Sequence, residues 1–203
     1  MGKVLGVTGG IGTGKSTVLR ILGELGAVTL SADDIARDVL SAGTPAYREV
    51  VRRFGPEVVA GEGGIDRAAL ARIIFSDPEA RAALDAITHP EIIARVHEHI
   101  RRFRESNPPT GAVLAVEIPL LIECGMEDAV DEVLLVAAEQ RTQVGRLTSR
   151  SGITPDEARC RIAAQMPLSE KVKRSDLVVN NDGTFEELEA SMKSLWGEIS
   201  CPA

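Results

Sequence analysis

Between Gly6 and Val18 the chain reads GVTGGIGTGKSTV, with five glycines. So glycine-rich a segment makes a poor strand and a poor helix, because glycine loses the most backbone freedom on folding. Gly9, Gly14, Lys15 and Ser16 satisfy the pattern G-x-x-x-x-G-K-[ST]. The flanks complete it, with the apolar run Lys3–Val7 before the loop and a helical pattern opening at Lys15 after it. In that setting successive backbone N–H groups turn inward around a phosphate, a conformation glycine tolerates. The helix N-terminus adds unpaired N–H groups and the positive end of its dipole. Gly12, Thr13, Gly14, Lys15, Ser16 and Thr17 are the expected nucleotide contacts. Lys15 would reach the β and γ phosphates, and the Ser16 hydroxyl would take a Mg²⁺ position. The segment trades local stability for a site that takes a nucleoside triphosphate.

Composition bounds the rest. A chain of 203 residues, 44% hydrophobic, is enough for one sizeable core with insertions that share it. A net charge of -7 argues against a nucleic-acid binder, which needs a basic footprint, but leaves room for a local arginine cluster on a small anion. Cys124, Cys160 and Cys201 form no C-x-x-C pair, so neither a zinc site nor a disulfide framework is indicated. The N-terminus lacks the apolar core of a signal peptide, and no run approaches the ~20 apolar residues that span a bilayer. The expectation is a soluble cytoplasmic protein with no membrane association and no obligatory protein partner.

The hydrophobic pattern predicts an α/β organisation. Lys3–Val7 reads as a buried parallel strand, followed by the loop and by a helix that stops at Gly26. Ala27–Leu30 reads as a second strand running straight into the helix SADDIARDVL, which makes a βαβ unit. Residues 41–106 are almost entirely helical in pattern, with starts at Asp66, Asp77-Pro78 and His89-Pro90. Beyond NPPTG come a third strand, AVLAVEIPLLI, and a fourth, EVLLVAA. Two arginine-bearing helices, a last strand at DLVVNNDG and a terminal helix complete the chain.

A triphosphate loop serves either a nucleotide switch or a phosphotransferase. A guanine switch needs N-K-x-D and D-x-x-G; none of Asn107, Asn180 and Asn181 precedes a lysine, and no aspartate has glycine three residues on. A kinase needs a carboxylate near the acceptor hydroxyl and positive charge around the group in transit. In a parallel sheet both come from the carboxyl ends of the strands. Asp33 and Asp34 follow the second strand directly, and Asp33 lies closer to its end; either also suits the first turn of a helix. Glu117 and Glu123 bracket the tip of the third strand, where an acid holds Mg²⁺ through water or lies in a solvated loop, the solvated alternative fitting Glu123 better. Arg146 and Arg150 share a helix face, Arg141 points elsewhere, and Arg159 and Arg161 follow on the next helix; a solvated surface accounts for three of these five. One or two of these arginines over the triphosphate would act as a built-in arginine finger on a closing lid. His89 suits either a capping role or a substrate contact; His97 and His99 read as surface, and Trp196 as packing.

Taken in order, GVTGGIGTGKSTV, SADDIAR, Phe54-Gly55 before IDRAAL, THPEI, EIPLLIE, QVGRL, AAQM and DLVVNND resemble the dephospho-CoA kinase family nearly end to end. The resemblance implies a P-loop NTPase-type three-layer α/β/α core with a five-stranded parallel sheet, spanning 1–40, 107–138 and 175–203. It further implies a helical insertion at 41–106 for the CoA end of the substrate and a helical lid at 139–174. ATP would phosphorylate the ribose 3′-hydroxyl of dephospho-CoA, with Mg²⁺. Asp33 corresponds to the base, and Thr8, Arg37 and His89 to positions near the substrate. Arg146 corresponds to the charge on the transition state, and Asn181 and Gly183 to the adenine pocket. Two positions depart from the family pattern: Ser31 stands where many members carry a first aspartate, and Glu117 where an aspartate is common. The alternatives are a P-loop kinase of another small hydroxyl or nucleoside monophosphate and, further off, a non-catalytic ATP-binding module.

Overall fold

The computed structural model describes residues 2–61 and 63–200, so Cys201 lies outside the described residues. Among them the elements run β1 (Lys3–Gly9), α1 (Lys15–Glu24), β2 (Val28–Ser31), α2 (Ala32–Val39), α3 (Pro45–Phe54), α4 (Arg67–Ser76) and α5 (Pro78–Glu105). Then follow β3 (Val113–Glu117), β4 (Glu132–Ala137), α6 (Gln140–Ser151), α7 (Pro155–Ala163), α8 (Leu168–Lys173), β5 (Leu177–Asn180) and α9 (Phe185–Ser200). The chain divides into two compact units, one of Met1–Ser31 with Ile100–Ala203 and the other of Ala32–His99.

The first unit is built on a five-stranded parallel sheet in the order β2-β3-β1-β4-β5. Side chains alternate across a strand, so each central strand serves two faces. Leu5 and Val7 of β1 join Val18, Ile21 and Leu22 of α1 and Leu188 and Met192 of α9 in one core. Each such aliphatic residue contributes roughly 1.5–3 kcal/mol by leaving water. On the opposite face, a Cβ at Gly6 would meet Leu121 and Val130, which shows that the segment after β3 packs there. Val4, Ile118, Leu121, Ile122 and Met126 are all buried. All strand ends of one sense therefore meet at one edge, where Gly9, Ser31, Glu117, Ala137 and Asn180 finish their strands.

The second unit is helical, with its own core of Val50, Phe54, Val58, Leu70 and Ala80, against which Leu84 and Ile87 pack. Thr44 caps α3, its hydroxyl accepting from the Tyr47 amide, and Asp66 caps α4 by accepting from Ala68 and Ala69.

Three features differ from the sequence expectation. The helix start expected at His89-Pro90 is absent, because α5 runs unbroken through Pro90. An interior proline costs ~3 kcal/mol; burial along the helix, of Ala80, Val96 and Ile100 among others, outweighs that. The third strand is shorter than its apolar run, because Ile118–Ile122 fold back over the sheet as turns that bury Leu121 and Ile122. A short helix, α8, also occupies a stretch that no pattern had singled out. Cys124 and Cys160 are exposed and outside any disulfide.

Candidate active site

The glycine loop, Gly10–Gly14, leaves the carboxyl end of β1 and closes on α1. Every carbonyl from Gly9 to Thr13 has a donor. The Lys15 ammonium donates to the carbonyls of Gly9 (3.1 Å) and Gly10 (2.9 Å), and the Thr13 hydroxyl also donates to Gly10 (2.9 Å). The Gln143 amide donates to the Ile11 carbonyl at 2.7 Å. The Arg146 guanidinium donates to Gly12 (3.3 Å) and Thr13 (3.2 Å), and the Asn181 amide also donates to Thr13 (2.7 Å). With these carbonyls engaged, the loop amides other than that of Ile11, whose N–H is bound to Gln165, and the first N–H groups of α1 are the donors a phosphate would meet.

Gly14 enters α1 at φ 95°, a left-handed conformation, and a Cβ there would lie 2.2 Å from the Asn181 amide nitrogen. Only glycine fits both the angle and the space. Arg146 binds Asn181 twice as well, donating to its backbone carbonyl at 2.8 Å and its side-chain oxygen at 3.3 Å. Both terminal guanidinium nitrogens of Arg146 are thus engaged with main chain and asparagine. Beside them, burial pushes the Asp182 carboxyl up. Bonds from the Thr142 side chain, the Glu139 amide (2.8 Å) and the Asn180 side chain, with the charge of Arg146, outweigh burial and hold it below the usual carboxylate range.

Glu117 closes the sheet edge from the neighbouring strand. It is 3% exposed and sits in register with Val7 of β1 and Ser31 of β2. The Ser16 hydroxyl donates to its carboxylate at 3.3 Å. These are hard oxygen donors, one neutral and one anionic, of the kind that suits Mg²⁺ sharing its shell with phosphate oxygens and water. Among the described residues there is no cluster of three or more His, Cys, Asp or Glu side chains to hold a metal without such help. Thr8 is fully buried one residue before the loop, donating to the Pro119 carbonyl at 3.3 Å. Gly183 opens the turn before α9, close to the Glu187 carboxylate. Glu123, read from sequence as a solvated loop acid, is instead paired at 2.6 Å with Lys171 of α8, whose side chain is 2% exposed.

In the helical unit, Asp33 and Asp34 occupy the first turn of α2 and are exposed. Arg37, one turn on, donates to Asp34 and leaves Asp33 outside that pair. His89 is half-buried on α5, with its Nε2 3.5 Å from an Asp85 oxygen. Of the other arginines, Arg141 pairs with Glu139 and Arg159 with Asp156 on the surface, and Arg150 is exposed.

Gln143 and Gln165 are contacts that composition and spacing did not single out. Their signal was present only as the motifs QVGRL and AAQM, which carry no charge and no reactive group.

The family model for CoaE, dephospho-CoA kinase, matches residues 3–187. A dephospho-CoA kinase from Geobacter metallireducens is 47% identical over 195 residues, which cover 96% of each chain. A crystal structure from Thermus thermophilus superposes with a TM-score of 0.76 at 39% identity, covering 98% of this chain and 99% of that one. The dephospho-CoA kinase from Campylobacter jejuni superposes with a TM-score of 0.73 at 28% identity and 98% coverage of both. A match that runs through the glycine loop, the helical unit and the adjoining Gln143–Arg146 helix, with a fold that agrees across the whole chain, leaves one assignment: this chain belongs to the dephospho-CoA kinase family.

Proposed function

We propose that this chain, in the cytoplasm, transfers the γ-phosphoryl group of ATP to the ribose 3′-hydroxyl of dephospho-CoA, giving CoA and ADP. The observation that carries the reading is the family match over residues 3–187, which takes in both the phosphate loop and the helical unit.

In this reading the loop amides and Lys15 hold the β and γ phosphates, so the transferring group is fixed before the acceptor arrives. Asp33 accepts the proton of the 3′-hydroxyl as its oxygen bonds to the γ phosphorus and the bond to the ADP oxygen breaks. Thr8, Arg37 and His89 line the acceptor side, and the helical stretch 41–106 takes the CoA end. Arg37 must then exchange its Asp34 partner for a substrate oxygen. Ser16 and Glu117 would hold Mg²⁺, Glu117 through a water of the ion, and the bound ion supplies neutralisation of the charge that develops on the phosphates. Arg146 contributes positive charge from a fixed position beside the cradle; direct contact with the transferring group would require it to release the carbonyls it now binds. Asn181 and Gly183 border the adenine, and residues 139–174 close over the nucleotide to exclude water.

The test is ADP release with ATP and each of three acceptors: dephospho-CoA, shikimate and a nucleoside monophosphate. Release that depends on dephospho-CoA is expected. Release with another acceptor, or with none, overturns the proposal. In the same assay Asp33→Asn should lower kcat at least a hundredfold, within the span of general-base catalysis, and leave the KM for ATP within about twofold. Near-normal turnover would remove Asp33 from the role of base.

A further inference from the structure

The AAQM segment has no part in the chemistry above, yet its glutamine touches the phosphate loop. Both backbone polar groups of Ile11 are held by side chains. Its N–H donates to the Gln165 side-chain oxygen at 2.7 Å, and its carbonyl accepts from the Gln143 side-chain nitrogen at 2.7 Å. The partners leave no ambiguity about which amide atom faces which group, because a carbonyl requires a donor and an N–H requires an acceptor. Gln143 is 7% exposed and sits in the first turn of α6; Gln165 follows α7. Gly10 records the same contact from the loop side. A Cβ there would stand 2.7 Å from the Gln143 nitrogen and 3.5 Å from the Gln165 oxygen, and Gly10 needs no unusual backbone angle that would otherwise explain the absence of a side chain.

We propose that Gln143 and Gln165 are positioning residues that clip the two peptide units on either side of the Ile11 Cα and so set the orientation of the loop amides that bind phosphate. The loop is flexible glycine on both sides of Ile11, and the two consecutive peptide planes that flank the Ile11 Cα, Gly10–Ile11 and Ile11–Gly12, are each held by one glutamine and lose their freedom to flip. A flip of the second plane would turn the Ile11 carbonyl toward the triphosphate and the Gly12 amide away from it. The clip also ties the loop to α6 and to the turn that follows α7, so the cradle is formed only while that part of the 139–174 segment is in place. The proposal rests on the reading of the loop as an ATP site, and its test is read by direct binding of Mg²⁺-ATP, independent of any acceptor.

The decisive variants carry the same charge against the backbone of the same residue. Gln165→Glu keeps an acceptor for the Ile11 N–H, whereas Gln143→Glu sets a carboxylate against the Ile11 carbonyl. Repulsion of the triphosphate is common to both, so the difference isolates the clip. By calorimetry Gln143→Glu should weaken Mg²⁺-ATP at least tenfold more than Gln165→Glu; equal losses overturn the proposal. The neutral pair Gln143→Met and Gln165→Met serves if a charged variant does not fold. Each should raise the Kd for ATP about five- to tenfold and leave the KM for the acceptor unchanged, and a Kd that does not move overturns the clip. Gly10→Ala should weaken ATP in the wild-type background and have little further effect in Gln143→Ala, where the side chain it would meet is gone; full additivity overturns the contact. In the unmodified chain the Ile11 amide should exchange with solvent far more slowly than a free loop amide, and unprotected exchange refutes the bond to Gln165. A wild-type chain that binds ATP but ignores dephospho-CoA would sink the acceptor assignment and leave the clip standing.

Discussion

Replacing Gly14 with alanine should injure the protein by two separable routes. Its backbone, at φ 95° and ψ 25°, is left-handed, and an L side chain in that region costs roughly 1–2 kcal/mol. The new Cβ would also stand 2.2 Å from the Asn181 amide nitrogen, a distance no pair of atoms tolerates, so the asparagine must move. Moving it breaks the buried 2.7 Å bond to the Thr13 carbonyl, and leaving such a group unsatisfied costs about 1–3 kcal/mol. The total is about 2–5 kcal/mol. Gly26 provides the control: its φ is 107°, and a Cβ there would meet nothing within 4 Å, so Gly26→Ala carries the strain alone, about 1–2 kcal/mol. Urea unfolding of the nucleotide-free chain measures both costs, and calorimetry with Mg²⁺-ATP measures the site. Gly14→Ala should lose more stability than Gly26→Ala and should weaken ATP, which Gly26→Ala should not. Introducing Asn181→Ala beforehand should absorb the difference, since the clash then has no object. If the two glycine variants are equally destabilised, or if the effects of Gly14→Ala and Asn181→Ala simply add, the steric account of Gly14 is wrong.

Two further consequences concern charge. Lys171→Met strands the Glu123 carboxylate in the fold over the sheet and should cost about 2–4 kcal/mol, somewhat under a fully buried pair because Glu123 keeps some solvent. Adding Glu123→Leu should recover most of that loss in urea unfolding, and no recovery would mean the pair is not the cause. Asp182 is held below its ordinary pKa in the folded chain, so its contribution to stability is fully present above the unfolded value of about 3.9 and is lost as pH falls through the lowered folded value. Asp182→Asn should therefore flatten the acid limb of the stability–pH curve below about pH 4 and lower stability at pH 7; an unchanged acid limb would contradict the assignment.

Much of the parallel sheet was legible because its strands are short apolar runs bounded by breakers, and the loop was legible because its glycines, lysine and serine have fixed spacing. What escaped had local signals that tertiary contacts overrode. Pro90 reads as a helix start until the neighbouring turns bury enough apolar surface to hold the helix through it. Ile118–Ile122 read as a continuation of β3 because a buried turn and a buried strand look alike in composition; only the space above Gly6 tells them apart. In the site, Ser16 and Glu117 could be anticipated, since each ends or begins an element at the same sheet edge. The side chains that bind the Ile11 backbone could not, because Gln143 and Gln165 are neutral amides whose value depends wholly on what they face.

That dependence bears on how the cradle comes to exist. Each glycine in the loop raises the entropy lost on ordering, by roughly 0.5–1 kcal/mol relative to alanine. The hydrogen bonds that offset this loss come from the far end of the chain, at sequence separations of 132 for Gln143, 133 for Arg146, 154 for Gln165 and 168 for Asn181. The strand, loop and helix at the N-terminus hold the pattern of a phosphate site but not its shape. The bonds local to the loop, from Lys15 and Thr13, reach the carbonyls of Gly9 and Gly10. Ile11, Gly12 and Thr13 wait for partners supplied after β4. If residues 139–174 close over the nucleotide as proposed, an amide nest held by Gln143, Arg146 and Gln165 would grip triphosphate when that segment is in place to exclude water and would loosen when it is not.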